Sequence, residues 1–211
     1  MARKESPRRA QVVRKTKETS IRLELDLDDS ERTEIQSGVG FLDHMLDALA
    51  RHGRLGLVLE AKGDLQVDQH HLVEDVGIAL GTALREALGD DLRIQRFASA
   101  LAPLDDALAR AVVDISGRAY LHYGVDISRS LVGELDTDLV REFFQAFVAN
   151  ALINLHLDLL HGDNAHHQIE AVFKATALAL RAAIRREAEL REVPSTKGTL
   201  TESAARKKGK S

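Results

Sequence analysis

The sequence predicts an α+β fold made of two similar halves. The pattern His-His-x-x-Glu occurs as HHLVED at 70–75 and again as HHQIEA at 166–171, so each of its residues recurs 96 positions later. Around each copy the predicted order is strand, helix, strand, helix. Neither half alone is long enough to bury a sheet and two helices well, so the halves are expected to share one core.

The elements of the first half follow from hydrophobic periodicity. IRLELDLD at 21–28 alternates apolar and polar residues, which is typical of a half-buried strand. GVGFLDHMLDALARHG at 38–53 has apolar residues at helical spacing. A strand and turn follow at 55–65, and a helix is predicted over 70–88, closed by Gly89.

The second half repeats this order. Strands are predicted at 108–117 and 119–126, and a helix at 136–155. A strand and turn follow at 155–163, and a second histidine helix is predicted over 166–186. The duplication is therefore expected in structure as well as in sequence.

The domain boundaries follow from this pattern and from charge. Residues 10–91 are predicted to form the first half and residues 92–200 the second half. The basic segments 1–9 and 201–211 are predicted to be disordered tails, because short charged ends have little apolar surface to bury.

Composition excludes several classes of protein. A net charge of -4 gives no case for nucleic-acid binding, and an aromatic content of 4% without tryptophan argues against a stacking platform for single strands. The absence of cysteine excludes disulfides and thiolate metal sites. No apolar run approaches the roughly 20 residues of a membrane helix, and no apolar segment follows the basic start as in a secretory signal. A soluble cytoplasmic protein is expected.

The repeated motif predicts metal binding. On a helix, residues i and i+4 share a face, so His70 and Glu74 can bind one ion while His71 points elsewhere. Each histidine helix is therefore expected to serve two ions, or one ion and a partner site. Imidazole and carboxylate ligands without a thiolate suit manganese, iron, cobalt or zinc.

Two further ligands are expected on the preceding helices. His44 lies 26 positions before His70, and Glu142 lies at a similar distance before His166. The ligand set alone also suits a hydrolase that uses a metal-bound water, or a non-catalytic protein assembled by metal.

Four motifs in order resemble the imidazoleglycerol-phosphate dehydratase family. They are GVGFLDHML, HHLVED, GDNAHHQIEAVFKA and PSTKGTL, and the resemblance runs over 14–200. It implies conversion of D-erythro-imidazole-glycerol phosphate to imidazole-acetol phosphate and water, a step of histidine biosynthesis, with two Mn²⁺ ions per active site. It also implies a fold like ribosomal protein S5 domain 2, with βαββα-type halves, sheets outside and helices between. A 24-mer with sites at subunit interfaces is implied, without a fused phosphatase domain.

The resemblance also assigns the site residues. Glu142 stands where the family often has histidine. The implied metal ligands are His44, His70, His71, Glu74, Glu142, His166, His167 and Glu170. The implied catalytic residues are the base Glu18 and the ligands His71, Glu74, His167 and Glu170. The implied phosphate-binding residues are Arg96, Arg118, Ser195, Thr196 and Lys197.

The implied chemistry explains why these groups are needed. The hydrogen that leaves has no neighbouring carbonyl to make it acidic. A metal-bound imidazole ring can lose its N–H proton and expel the adjacent hydroxyl, and the resulting intermediate acidifies the next C–H. Glu18 would then remove that proton.

Overall fold

The computed structural model describes residues 7–89 and 93–187. The strands of the first half are β1 (Arg9–Lys15), β2 (Thr19–Asp26), β3 (Thr33–Gln36) and β4 (Gly56–Gly63), and its helices are α1 (Gly40–Gly53) and α2 (His70–Leu88). The strands of the second half are β5 (Phe97–Leu104), β6 (Ala107–Asp114), β7 (Tyr120–Gly124), β8 (Leu131–Val132), β9 (Leu135–Asp136) and β10 (Asn154–His161), and its helices are α3 (Asp138–Ala151) and α4 (Ala165–Ala183).

The two halves have the same topology. Their four-stranded sheets have the orders β1-β2-β4-β3 and β5-β6-β10-β7, and the last pair of each order is parallel. The helices also match, with 14 residues in α1 and α3 and 19 residues in α2 and α4. The predicted α+β class and its internal duplication are confirmed. Each half runs β-β-β-α-β-α apart from the small β8–β9 hairpin, which is one strand more than the implied βαββα type.

The helices lie between the sheets and bury their apolar faces there. In the first half α2 packs on β1, β2 and β4, and in the second half α4 packs on β5, β6 and β10. Each of these helices also packs on the first helix of the other half, α2 on α3 and α4 on α1. Fully buried side chains such as Leu23, Phe143 and Phe173 therefore belong to one continuous core.

The structure describes only part of the predicted tails. Strand β1 begins at Arg9, so the last residue of the predicted amino-terminal tail is paired in a sheet. Residues 1–6 and 201–211 lie outside the described residues. Within the two described ranges, none of the helices combines the length and the hydropathy that a bilayer crossing needs.

Two glycines let α2 and α3 approach closely. A Cβ placed on Gly77 would lie 2.6 Å from the carbonyl oxygen of Phe143, and one on Gly81 would overlap the carbonyl oxygen of Phe147. These neighbours are backbone atoms, so they cannot move aside as a flexible side chain could. Gly77 lies three residues after Glu74, so this contact fixes the His-His-x-x-Glu motif of α2 relative to α3.

Gly81→Ala is expected to destabilise the protein by about 1–3 kcal/mol, because the added methyl group forces the two helices apart. Gly40→Ala is the matched control, since a Cβ at Gly40 meets nothing within 4 Å. The control should be neutral or slightly stabilising. Denaturant unfolding of the two variants measures the difference, and equal midpoints would contradict this account of the helix contact.

Candidate metal centre

The two histidine helices begin in the same way. The side-chain oxygen of Asp68 accepts a hydrogen bond from the backbone N–H of His70 at 2.8 Å, and that of Asn164 accepts one from His166 at 2.9 Å. Short polar side chains suit these positions because they reach the free N–H groups of a helix start. The adjacent histidines of each motif therefore lie in a first helical turn.

The adjacent histidines of each motif point in different directions. The rings at 70–71 have centroids 6.2 Å apart and planes 84° apart, and those at 166–167 are 6.0 Å and 81° apart. The glutamate of each motif lies beside the first histidine, as i, i+4 geometry requires. Each helix thus offers one His/Glu pair and one separate histidine, as the spacing predicts.

His44 of α1 meets His166 and Glu170 of α4. The Nε2 atoms of His44 and His166 lie 3.0 Å and 3.1 Å from Oε2 of Glu170. The three ligand atoms lie within 4.8 Å of one another, and they form the one such group found in residues 7–89 and 93–187. Two imidazoles and a carboxylate form a donor set suited to a divalent transition metal. The cluster joins the two halves, since only His44 comes from the first.

Lys174 helps to keep the carboxylate of this cluster charged. Its Nζ lies 2.8 Å from Oε1 of Glu170. Burial raises the pKa of Glu170, but hydrogen bonds from Lys174, His44 and His166 outweigh this effect and lower the pKa to about 2. The motif spacing did not identify Lys174, because its counterpart 96 positions earlier is Ile78 and a single lysine carries no pattern.

The other His/Glu pair lies on α2, opposite α3. Nε2 of His70 and Oε2 of Glu74 are 3.9 Å apart. Glu142 is the fifth residue of α3, just as His44 is the fifth residue of α1. Glu142 is half-buried. Because α2 packs on α3 as α4 packs on α1, Glu142 corresponds in position to His44.

His71 is approached by two carboxylates. Its Nδ1 lies 3.2 Å from Oδ2 of Asp64 and 3.9 Å from Oε2 of Glu18. The hydrogen bond to Asp64 is the main cause of a raised pKa of His71. Glu18 lies in the turn between β1 and β2, one residue before β2.

His167 is held in a similar way. Its Nδ1 lies 2.5 Å from Oδ1 of Asp106, and this hydrogen bond lowers the pKa of Asp106. Asp106 also accepts backbone hydrogen bonds from Asp163 and Asn164, which fix its position. A carboxylate at Nδ1 orients an imidazole ring and leaves Nε2 as the metal-binding atom. Sequence reasoning missed Asp64 and Asp106, because they lie in turns without periodicity.

The predicted phosphate-binding residues are only partly described. Arg96 is nearly buried, with its Nε 2.8 Å from Oδ1 of Asp114 and its guanidinium 4.4 Å from the ring centre of Phe97. Arg118 is exposed in a turn that follows Gly117, whose φ is 74°. The segment with Ser195, Thr196 and Lys197 lies outside the described residues. The phosphate roles of all five stay predictions.

Asp64→Asn and Asp106→Asn should each weaken metal binding by about 10- to 100-fold, because a carboxylate at Nδ1 orients the imidazole and makes it more basic. Affinity is measured by titration with Mn²⁺ against a competing chelator, at a pH above the usual pKa of histidine. Glu60→Gln is the control, since Glu60 is exposed on the outer face of β4. Unchanged affinity in the two aspartate variants would contradict the orienting role.

The chain matches the family model of imidazoleglycerol-phosphate dehydratase over residues 37–180. It is 53% identical over 193 residues to the imidazoleglycerol-phosphate dehydratase of Streptococcus mutans, covering 92% of this chain and 100% of the relative. It is 54% identical over 194 residues to that of Azorhizobium caulinodans, covering 92% and 98%.

Solved structures agree with this match. The crystal structure of imidazoleglycerol-phosphate dehydratase from Staphylococcus aureus has a TM-score of 0.78 and 42% identity, over 85% of this chain and 99% of that chain. The enzyme from Pyrococcus furiosus, in complex with (S)-C348, has a TM-score of 0.78 and 38% identity, over 90% and 100%. The chain therefore belongs to the imidazoleglycerol-phosphate dehydratase family, whose members are hydro-lyases of histidine biosynthesis.

Proposed function

We propose that this chain removes water from D-erythro-imidazole-glycerol phosphate to give imidazole-acetol phosphate, a step of L-histidine biosynthesis. Family membership supports the choice of substrate. The main structural support is that His44, His166 and Glu170 lie close enough together to bind one metal ion. The proposed reaction needs such an ion to bind the imidazole ring of the substrate.

The proposed cofactor is manganese, with two ions for each active site. The donors are imidazole nitrogens and carboxylate oxygens, a mixture that manganese accepts, and the chain has no cysteine. The two proposed sets are His44, His166 and Glu170 for one ion and His70, Glu74 and Glu142 for the other. When bound, such ions can hold the imidazole ring of the substrate and favour loss of its N–H proton.

The matching positions of the two halves support the second set. His44 and Glu142 occupy the same place on equivalent helices, and each of these helices packs on a histidine helix of the other half. The arrangement that brings His44 to Glu170 should therefore bring Glu142 toward Glu74. A carboxylate is an acceptable substitute for histidine at a manganese site.

Glu18 is the proposed catalytic base. The reaction takes a proton from carbon, so a side chain beside the bound substrate has to accept it. The 3.9 Å separation between Oε2 of Glu18 and Nδ1 of His71 supports this role, because it puts the carboxylate next to a proposed ligand. The side chain of Glu18 is 54% exposed, so substrate can reach it.

The phosphate is proposed to bind at basic and hydroxyl groups remote from the imidazole. Arginine suits a phosphate because its planar fork donates two parallel hydrogen bonds. The exposed turn at Arg118 supports this role, and Arg96 is held in place by Asp114. The remaining proposed donors are Ser195, Thr196 and Lys197.

Self-assembly is proposed to complete each metal site. His71 and His167 point away from the His/Glu pairs of their own helices, where they are held by Asp64 and Asp106. A second copy of the chain could supply these histidines as the missing ligands, which agrees with a homo-oligomer such as the 24-mer implied by resemblance. Every proposed metal ligand would then bind an ion.

The reaction is tested by incubating the manganese-loaded protein with imidazole-glycerol phosphate and assaying the ketone product. Glu18→Gln should lower kcat by about 100-fold or more while metal content stays unchanged, because it removes the base and no ligand. Glu60→Gln is the control and should keep wild-type turnover. Failure of the wild-type protein to form the ketone would refute the proposed function.

Metal removal should reduce the size of the assembly. If each site takes ligands from more than one chain, a chelator removes bonds between subunits and favours a smaller oligomer. Light scattering before and after treatment with chelator measures the native mass, and added Mn²⁺ should restore it. An unchanged mass in the metal-free protein would contradict shared sites.

Glu142→Gln should lower manganese affinity by about 10-fold or more, because the amide keeps the shape of the side chain and removes its charge. Glu142→His should restore binding, since histidine is also a manganese ligand. Titration against a competing chelator compares the three proteins. Equal affinity in the wild type and Glu142→Gln would show that Glu142 is a solvated helix residue.

A further inference from the structure

Among the positions at which the two histidine helices differ is the one four residues after the second histidine of the motif. The residue four positions after His71 is Asp75, while the residue four positions after His167 is Ala171. Residues at i and i+4 share a helix face, so Asp75 lies on the same side of α2 as His71. The sequence repeat therefore gives the first half a carboxylate that the second half lacks.

Asp75 is buried and fully engaged. Its side chain is 8% exposed, and Oδ1 accepts a hydrogen bond from Nε of Arg14 at 2.8 Å. Oδ2 accepts a hydrogen bond from the hydroxyl of Thr19 at 2.5 Å. Burying a carboxylate costs free energy unless its oxygens accept hydrogen bonds, and in Asp75 each oxygen has such a partner.

These partners belong to the two strands that flank the turn with Glu18. Arg14 lies on β1, and Thr19 is the first residue of β2. The carboxylate of Asp75 therefore fastens the ends of this turn to α2. The attachment point is one helical turn from His71.

A chain of hydroxyl groups extends from Asp75 into the turn. Because Thr19 donates its hydroxyl proton to Asp75, it accepts from the hydroxyl of Thr16 at 3.0 Å. Thr16 Oγ1 in turn accepts the backbone N–H groups of Glu18 and Thr19 at 3.1 Å and 2.9 Å. The backbone position of Glu18 is thus set by hydrogen bonds that begin at Asp75.

We propose that Asp75 is a positioning residue, which orders the Thr16–Thr19 turn and thereby holds the carboxylate of Glu18 beside His71. This inference rests on the proposed role of Glu18 as the base. The corresponding turn of the second half, between β5 and β6, carries Asp106, which binds His167 directly. The same turn holds Asp105, whose Oδ2 lies 3.6 Å from Nε2 of His167. Its helix has Ala171 in place of Asp75, so the carboxylate that anchors the Glu18 turn has no equivalent at that position.

Asp75→Asn tests this proposal, because an amide has a single acceptor oxygen and cannot accept from Arg14 and Thr19 on two separate oxygens as the carboxylate does. It should lower kcat by about 10- to 100-fold through misplacement of Glu18, with KM and manganese content nearly unchanged. Thr19→Val should act in the same direction, and Thr19→Ser, which keeps the hydroxyl, should restore turnover. The matched control is Thr176→Val, since Thr176 is buried and its hydroxyl donates to the carbonyl oxygen of Val172 within α4.

The decisive comparison is the Asp75→Asn/Glu18→Gln double variant. If Asp75 acts through Glu18, adding Asp75→Asn to Glu18→Gln should cause no further loss of kcat. Additive losses, or unchanged kcat in Asp75→Asn, would overturn the proposal. A loss of manganese content in parallel with kcat would also overturn it.

A second readout does not depend on turnover. Hydrogen exchange at the Glu18 and Thr19 amides should become faster in Asp75→Asn and Thr19→Val, because their acceptor Thr16 loses its anchor. Unchanged exchange would overturn the proposal even in an active enzyme. If the wild-type protein fails to form the ketone while these amides respond as expected, the proposed function fails and the ordering of the turn stands.

Discussion

Crosswise packing of helices between the two halves is the constraint on which the rest of the structure depends. The second helix of each half covers its own sheet and packs its other side on the first helix of the opposite half. His44 meets Glu170 only through this arrangement. Neither half alone could form the cluster, so the proposed metal ligands and the hydrophobic core depend on the same contact. The glycines at 77 and 81 show how closely that contact is fitted.

The sequence predicted the histidine helices better than the strands. The helix at 70–88 matches α2 because its residues have helical apolar spacing and Gly89 marks its end. Strands β1, β3 and β5 were not predicted. The first is an edge strand with charged ends, the second has four residues, and the third is rich in alanine and contains proline. Their strand structure depends on pairing with neighbours, which local propensity does not record.

The site was predictable where the chain repeats itself and unpredictable where it does not. The offset of 96 residues identified the histidines and glutamates of the two helices. The carboxylates that orient His71 and His167 come from turns, at 64 and 106, that do not share this offset. Their roles depend on tertiary contacts between segments that carry no periodic signal. Motif spacing also did not predict that His44 of the first half would lie beside His166 and Glu170 of the second half. Spacing relates residues within one helix, and this cluster joins two helices.

The differences between the halves are consistent with the asymmetry of the proposed substrate. An imidazole ring has two nitrogens, so a pair of similar metal sites suits it, and the duplicated helices supply matching His/Glu pairs. The proposed reaction removes a proton from one carbon, however, so one base is enough. The turn with Glu18 and its anchor Asp75 occurs in the first half, while the second half has Ala171 at the anchor position and Lys174 beside its glutamate. The halves therefore share their His/Glu pairs and differ in the groups that hold the neighbouring side chains, with Asp75 anchoring the Glu18 turn in the first half and Lys174 paired with Glu170 in the second.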